Sequence, residues 1–268
     1  MFAQTTEGEE TLKKQLAADA NGWKMGGVVS VNFSQAAFSS NWADGTENSM
    51  SVNSLISVFA NYSDGENVWE NTLELGYGFL KQGSADLVKS DDKIDLTSKY
   101  GRKAFADWYY AGLFNFKSQM TPTYDAVVTD SVTSEFLSPA TILLALGMDW
   151  KPMPELSVFI SPLTMRTSMM KDVDTETNIG GYLRVNYKKE VCTNITYESK
   201  LEVFSNYQED EELDQIPTNM DVNWNNLISM KVNEYLSANI TFDMAHDDNI
   251  SKDVQFKEVL GIGLAYKF

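Results

Sequence analysis

Three features of the sequence predict an all-β fold, an up-and-down antiparallel transmembrane β-barrel of about 12 strands. Apolar and polar residues alternate with period 2 from Trp23 to the end of the chain. Short and long connections alternate between these stretches. Aromatic residues gather at strand ends, where they could form two girdles.

The first residues stand apart. MFAQTTEGEE reads as the end of a cleaved secretory signal, with Ala3 and Gln4 like a signal-peptidase site. EETLKKQLAADA, 9–20, has Leu12 and Leu16 one helical turn apart, which predicts a short helix that is marginal on its own. Residues 1–22 are therefore expected to be a signal remnant and periplasmic extension, and 23–268 the barrel.

Strands are expected over 24–34, 50–62 and 67–80, where β-branched and aromatic residues alternate with Ser, Asn and Glu. The next pairs are 93–104 with 108–119 across FAD, 139–150 with 156–169 across KPMPE, and 177–188 with 194–207 across KEVCT. Strands at 221–233 and 236–246 meet across little more than EY, and 254–268 closes the set. SDGE joins the second strand to the third. The intervening connections, within 35–49, 81–92, 120–138 and 209–220, are long and polar, and only 170–176 is brief. With an even strand number this sorting puts tight turns and both termini at one end, the arrangement of outer-membrane barrels. Sandwiches and lipocalins do not require it.

Charge and composition exclude several classes. A net charge of -17 leaves no basic face for nucleic acid. Mean hydropathy is -0.29, and no run approaches the roughly 18 apolar residues of a spanning helix. Cys192 and His246 are single, which removes disulfides, thiolate zinc sites and Cys-His pairs. No metal or cofactor is expected.

Strand parity gives each strand an apolar face and a polar face. Leu236, Ala238, Ile240, Phe242 and Met244 oppose Ser237, Asn239, Thr241 and Asp243. Ile179, Leu183, Val185 and Tyr187 oppose Tyr182, Arg184, Asn186 and Lys188. Trp69, Trp108, Trp150, Tyr187, Tyr235 and Tyr266 flank tight turns or the C-terminus. Phe33, Phe79, Phe136, Tyr207 and Trp224 flank long loops. Pro162 falls inside a strand of a closed sheet, where a bulge or break is expected.

WKMGGVVSVNFSQ, SNWADGTENSMS, DDKIDLTSKYGRKAFADWYYAGLFNFKSQ, GGYLRVNY, DVNWNNLISMKVNEYLSANIT and VQFKEVLGIGLAYKF resemble blocks of a Bacteroidota family of unknown function. The resemblance implies an outer-membrane β-barrel and carries no catalytic residues. In that bacterial group Asp130-Ser131-Val132 resembles an O-glycosylation acceptor, making Ser131 a candidate. The final Leu264, Tyr266 and Phe268 resemble the signal by which barrel-assembly machinery recognises its substrates. That machinery, outer-membrane lipids, lipopolysaccharide and an envelope-complex subunit are the expected partners.

An enzyme is not expected. His246 has the lipid-facing parity of an outer-membrane phospholipase histidine, but Asp247, Asp248 and Asn249 follow it, with no serine two positions on. The acidic clusters at Asp91-Asp92, Glu209 to Glu212 with Asp214, and Asp247-Asp248 lack calcium-loop spacing and read as solvated loops. The remaining constellation shares the predicted lumen parity: Glu74, Asp95, Lys99, Lys117, Asp149, Arg184, Lys188, Glu198, Lys200, Glu202, Asp243, Lys257 and Glu258. These charges could line a narrow conduit for small polar solutes, the leading expectation, or close the lumen of a non-conducting scaffold. Eight strands are filled by side chains and 16 to 18 leave a channel, so size alone leaves both open.

Overall fold

A computed structural model describes residues 21–37, 47–124, 132–207, 220–233, 235–247 and 251–267. The expected helix at 9–20, the signal remnant, Ser131, Phe268 and the cluster Glu209 to Glu212 with Asp214 lie outside the described residues. The barrel strands are β1 (Gly22–Ala36), β2 (Ser49–Ser63), β3 (Asn67–Gln82), β4 (Val88–Phe105) and β5 (Trp108–Ser118). They continue as β8 (Ala140–Met153), β9 (Leu156–Met170), β10 (Val173–Cys192) and β11 (Ile195–Asn206). The last three are β12 (Met220–Lys231), β13 (Leu236–Asp247) and β14 (Ser251–Lys267). Two short strands, β6 (Thr123–Tyr124) and β7 (Val132–Ser134), pair with each other between β5 and β8.

Each barrel strand pairs antiparallel with its sequence neighbour, and β14 returns to β1, so the sheet closes with 12 strands. Closure removes the sheet edge that would otherwise expose unpaired N–H and C=O groups. The twelve expected strands all exist. β6 and β7 were not anticipated, because a two-residue pairing leaves no periodic signal. β4 starts earlier than expected, at Val88 rather than 93. Its first turn is held by Asp92, which accepts Lys89 Nζ at 2.7 Å and the backbone N–H groups of Met120 and Thr121 at 2.7 and 2.9 Å.

Tight turns gather at one end, where β1 begins and β14 finishes. Between β2 and β3, Asp64 Oδ1 accepts the N–H of Glu66 at 3.0 Å and of Asn67 at 2.7 Å, while Oδ2 accepts Asn67 Nδ2 at 2.9 Å. Gly65 fits there because φ is +89°, a value side chains resist.

At Pro162 the expected bulge is present. Leu146 pairs with Leu163 and Met148 with Ile160, so Gly147 faces the extra residue. On the other side Gly180 pairs with Thr164 and Tyr182 with Ser161. Ser161 Oγ donates toward the carbonyls of Leu146 and Leu163, both at 2.9 Å, anchoring the backbone where proline offers no N–H.

Candidate functional site: the barrel lumen

Alternation makes two surfaces of the sheet. The outer one is apolar and exposed: Val29, Val31 and Phe33 on β1, Leu144 and Leu146 on β8, Ile160, Leu163 and Met165 on β9, Leu260, Ile262 and Leu264 on β14. Near the tight turns the Trp23 ring lies tilted 5.6 Å from both Tyr62 and Trp69, centre to centre, and Trp108 stacks on Trp150 at 5.9 Å. Near the long loops Trp224, Phe242 and Phe256 form a chain of edge contacts. An exposed apolar belt between two aromatic rings is the surface a bilayer solvates and water does not.

The inner surface holds the charges, and they are paired. Toward the tight-turn end, Glu70 on β3 meets Lys99 on β4 at 2.8 Å and Lys151 on β8 at 2.7 Å. Lys99 also reaches Asp149 at 2.6 Å, and Ser157 Oγ donates to the other Asp149 oxygen at 2.8 Å. Midway, Lys93 donates to Glu74 at 2.9 Å, and Asn115 Nδ2 donates to Asp95 at 2.6 Å. Glu202 on β11 accepts Lys117 of β5 at 3.1 Å and the Tyr182 hydroxyl at 2.6 Å, with Lys200 at 3.7 Å. Lys188 pairs with Glu198, and Arg166 on β9 with Asp221 on β12. Arg184 lies buried beside Lys200 and Glu202.

Several of these pairs join strands that are not neighbours in the sheet. β8, β9 and β10 stand between Lys117 and Glu202, and β10 and β11 between Arg166 and Asp221. The bonds therefore run as chords through the lumen. Beside them the inward residues Ala111, Leu113, Leu143, Ala145, Phe159, Tyr182 and Phe204 form an apolar cluster, with Phe159 at 1% exposure. The opposite arc contributes Val28, Ser30, Leu55, Ser57 and Leu227, all at 2% or less. Each of these is a lumen-facing side chain that water does not reach. The interior at mid-height is a packed core, with charges neutralised in pairs as burial demands.

Of the lumen residues expected from sequence, Glu74, Asp95, Lys99, Lys117, Asp149, Arg184, Lys188, Glu198, Lys200 and Glu202 belong to this interior. Asp243 and Lys257 face each other inside the barrel nearer the long loops. Glu258 is corrected: it pairs with Phe242, shares its face with Phe256 and Leu260, and points outward. With no register shift between Phe256 and Leu264, neighbours 257 and 258 must take opposite faces.

Sequence reasoning missed Lys93, Glu70, Lys151 and Arg166. Lys93 and Glu70 carry the parity of Asp95 and Glu74, so alternation could have found them. Lys151 lies one residue beyond the expected strand end. Arg166 was hidden by the bulge: Ser157, Phe159 and Ser161 face inward before Pro162, and Thr164 and Arg166 after it. Leu264 and Tyr266 lie on the outer face, each about 60% exposed. His246 pairs with Val222, and Ser251 pairs through its backbone with Asp247. Among the described residues no group of three or more acidic, His or Cys side chains could hold a metal ion.

The model of a family described as a protein of unknown function (DUF3078) matches residues 33–124, from the end of β1 to β6. No curated protein matches the chain. Among solved structures, the translocator domain of the autotransporter NalP from Neisseria meningitidis is 12% identical, with a TM-score of 0.47 over 97% of this chain and 93% of its own. An outer-membrane channel from Pseudomonas putida F1 is 12% identical, with a TM-score of 0.46 over 93% and 96%. The NanC porin is 8% identical, with a TM-score of 0.42 over 90% and 100%. The barrel assignment itself rests on this chain's own strand pairing.

Proposed function

We propose that this protein is an outer-membrane β-barrel of a Gram-negative, Bacteroidota envelope, with tight turns and both termini periplasmic and long loops external. It acts as a non-conducting scaffold or binding barrel, not as a passive pore for small polar solutes. The observation that carries this choice is the Lys117–Glu202 pair, which crosses the lumen at a height where the inward side chains around it are buried. A conduit needs a continuous wet path, and a core of paired charges and apolar rings supplies none. The outer belt and its aromatic rings support the membrane location. Phe268, with Leu264 and Tyr266, serves as the assembly signal, and Ser131 is the O-glycosylation candidate. No enzymatic step is assigned.

Conductance in planar bilayers tests the choice. Purified protein that shows heat-modifiable migration, and so is folded, is expected to give no discrete current steps. Regular unitary steps from that material would reverse the reading in favour of the solute channel.

A further inference from the structure

The lumen wall is not built alike all the way round. The chords join β5 to β11 and β9 to β12, whereas β14, β1, β2 and β3 form an arc that takes part in neither. This arc is recessed. Gly76 and Gly78 on β3 and Gly261 and Gly263 on β14 bring no side chain to the inner face, and two asparagines lie flat over them. Asn53 Oδ1 sits 1.9 Å from where a Cβ of Gly78 would stand, and Asn32 Oδ1 sits 2.2 Å from that of Gly263. Twelve strands make a wider barrel than the eight that side chains alone can fill, so residues this small leave room in front of them.

The recess is nevertheless dry. Ser30 on β1 pairs with Leu55 on β2, and Ser57 pairs with Val28, so all four share the inner face. Both serines are 1% exposed, and among the described residues neither hydroxyl has a hydrogen-bond partner. A buried hydroxyl without a partner calls for an occupant in front of it. The chain's own amino terminus is among the positive charges that act on Asp91 of β4 and Asp243 of β13, which lie toward the long-loop end.

We propose that residues 1–20, the segment leading into β1, enter the lumen from the tight-turn mouth and pack against this arc as a plug. β1 begins at that mouth, at Gly22. Leu12 and Leu16, one helical turn apart, suit the apolar Val28 and Leu55, and Thr11 and Gln15 on the adjoining stripe can bond the two serine hydroxyls. Twelve helical residues rise about 18 Å and each extended residue adds about 3.3 Å. A strand of 12 residues such as β13, tilted by about 40°, spans about 30 Å of height. The segment is therefore long enough to cross the barrel. The plug rests on the closed-lumen reading and names what closes the side that the chords leave open.

Disulfide trapping in the full chain tests it, in a Cys192→Ser background that removes the exposed native thiol. Ser30→Cys or Ser57→Cys is combined with one cysteine in place of Thr11, Leu12, Gln15 or Leu16, and the folded protein is oxidised in detergent micelles. At least one of the two inward positions is expected to give a band of shifted migration, and Ile56→Cys, on the outer wall at 43% exposure, is expected to give none. No cross-link from either serine position, or equal cross-linking from Ile56→Cys, would overturn the plug. Where the chain lacking residues 1–20 still shows heat-modifiable migration, Ser57→Cys is expected to lose its protection from a charged maleimide; retained protection would mean that the wall alone keeps the arc dry. A silent barrel that fails to cross-link sinks the plug alone, whereas regular current steps from a cross-linked barrel sink the scaffold reading and leave the plug in place.

Discussion

Lys117 and Glu202 meet at 3.1 Å although three barrel strands stand between β5 and β11 in the sheet. The same carboxylate takes the Tyr182 hydroxyl and faces Lys200, so one side chain neutralises several inward donors. Removing its charge strands two lysines in a dry interior. Glu202→Gln is expected to destabilise the barrel by about 3 kcal/mol or more, read as a lower urea midpoint in detergent. The double variant Glu202→Leu/Lys117→Met should recover part of that loss. An unchanged midpoint for Glu202→Gln would mean that the chord carries no stability.

Gly147 faces the bulge at Pro162. A Cβ there would lie 2.0 Å from the carbonyl oxygen of Ile160 and 2.7 Å from the Cα of Ser161, both backbone atoms. Backbone yields less readily than a flexible side chain. Gly147→Ala is expected to cost about 1–3 kcal/mol, seen in the same unfolding measurement, whereas Gly261→Ala, whose nearest neighbour is 3.9 Å away, should be close to neutral. Equal effects at the two positions would contradict the bulge geometry.

Leu146 is 63% exposed on the outer wall of β8. If that wall faces hydrocarbon, Leu146→Arg should cost about 2–4 kcal/mol in folding into phospholipid vesicles. In a water-facing wall the substitution would be nearly silent, so a vesicle measurement with no loss argues against the membrane reading.

Asp64 lies in a tight turn outside the membrane span, and its carboxyl titrates below its ordinary value of 3.8, chiefly through the Asn67 side-chain donor and then the Asn67 N–H. A lowered folded value means the turn's contribution is present above the unfolded value and disappears as pH falls through the folded one. The stability gap between the native chain and Asp64→Ala should therefore be full at neutral pH and shrink once the pH falls below the ordinary carboxylate value of 3.8. A gap that is constant over that range would show that the ionised carboxylate is not what the turn uses.

Much of this architecture could be read from period 2 and loop length alone, because a strand with one buried and one lipid-facing surface must alternate. Pro162 announced its own bulge, since a closed sheet has no edge to hide a missing donor. What alternation could not supply was the partner across the lumen. That Lys117 meets Glu202 depends on closure, tilt and stagger of the whole sheet, none of which is local. Arg166 and Glu258 show the two ways parity fails: an inserted residue reverses it downstream, and two adjacent charges cannot share a face however alike they look. The apolar cluster around Phe159 was invisible for a related reason, as a large ring inside the barrel has the same residue type as one facing lipid.

The chords also bear on how the barrel comes into being. Lys117 sits on an early hairpin of the chain and Glu202 on a later one, so in an incomplete sheet each points into the hollow without its counterpart. Until the later hairpin docks, that hollow has to stay hydrated. Expulsion of water is thus tied to the final closure of β14 on β1, and the last step of assembly is a drying step.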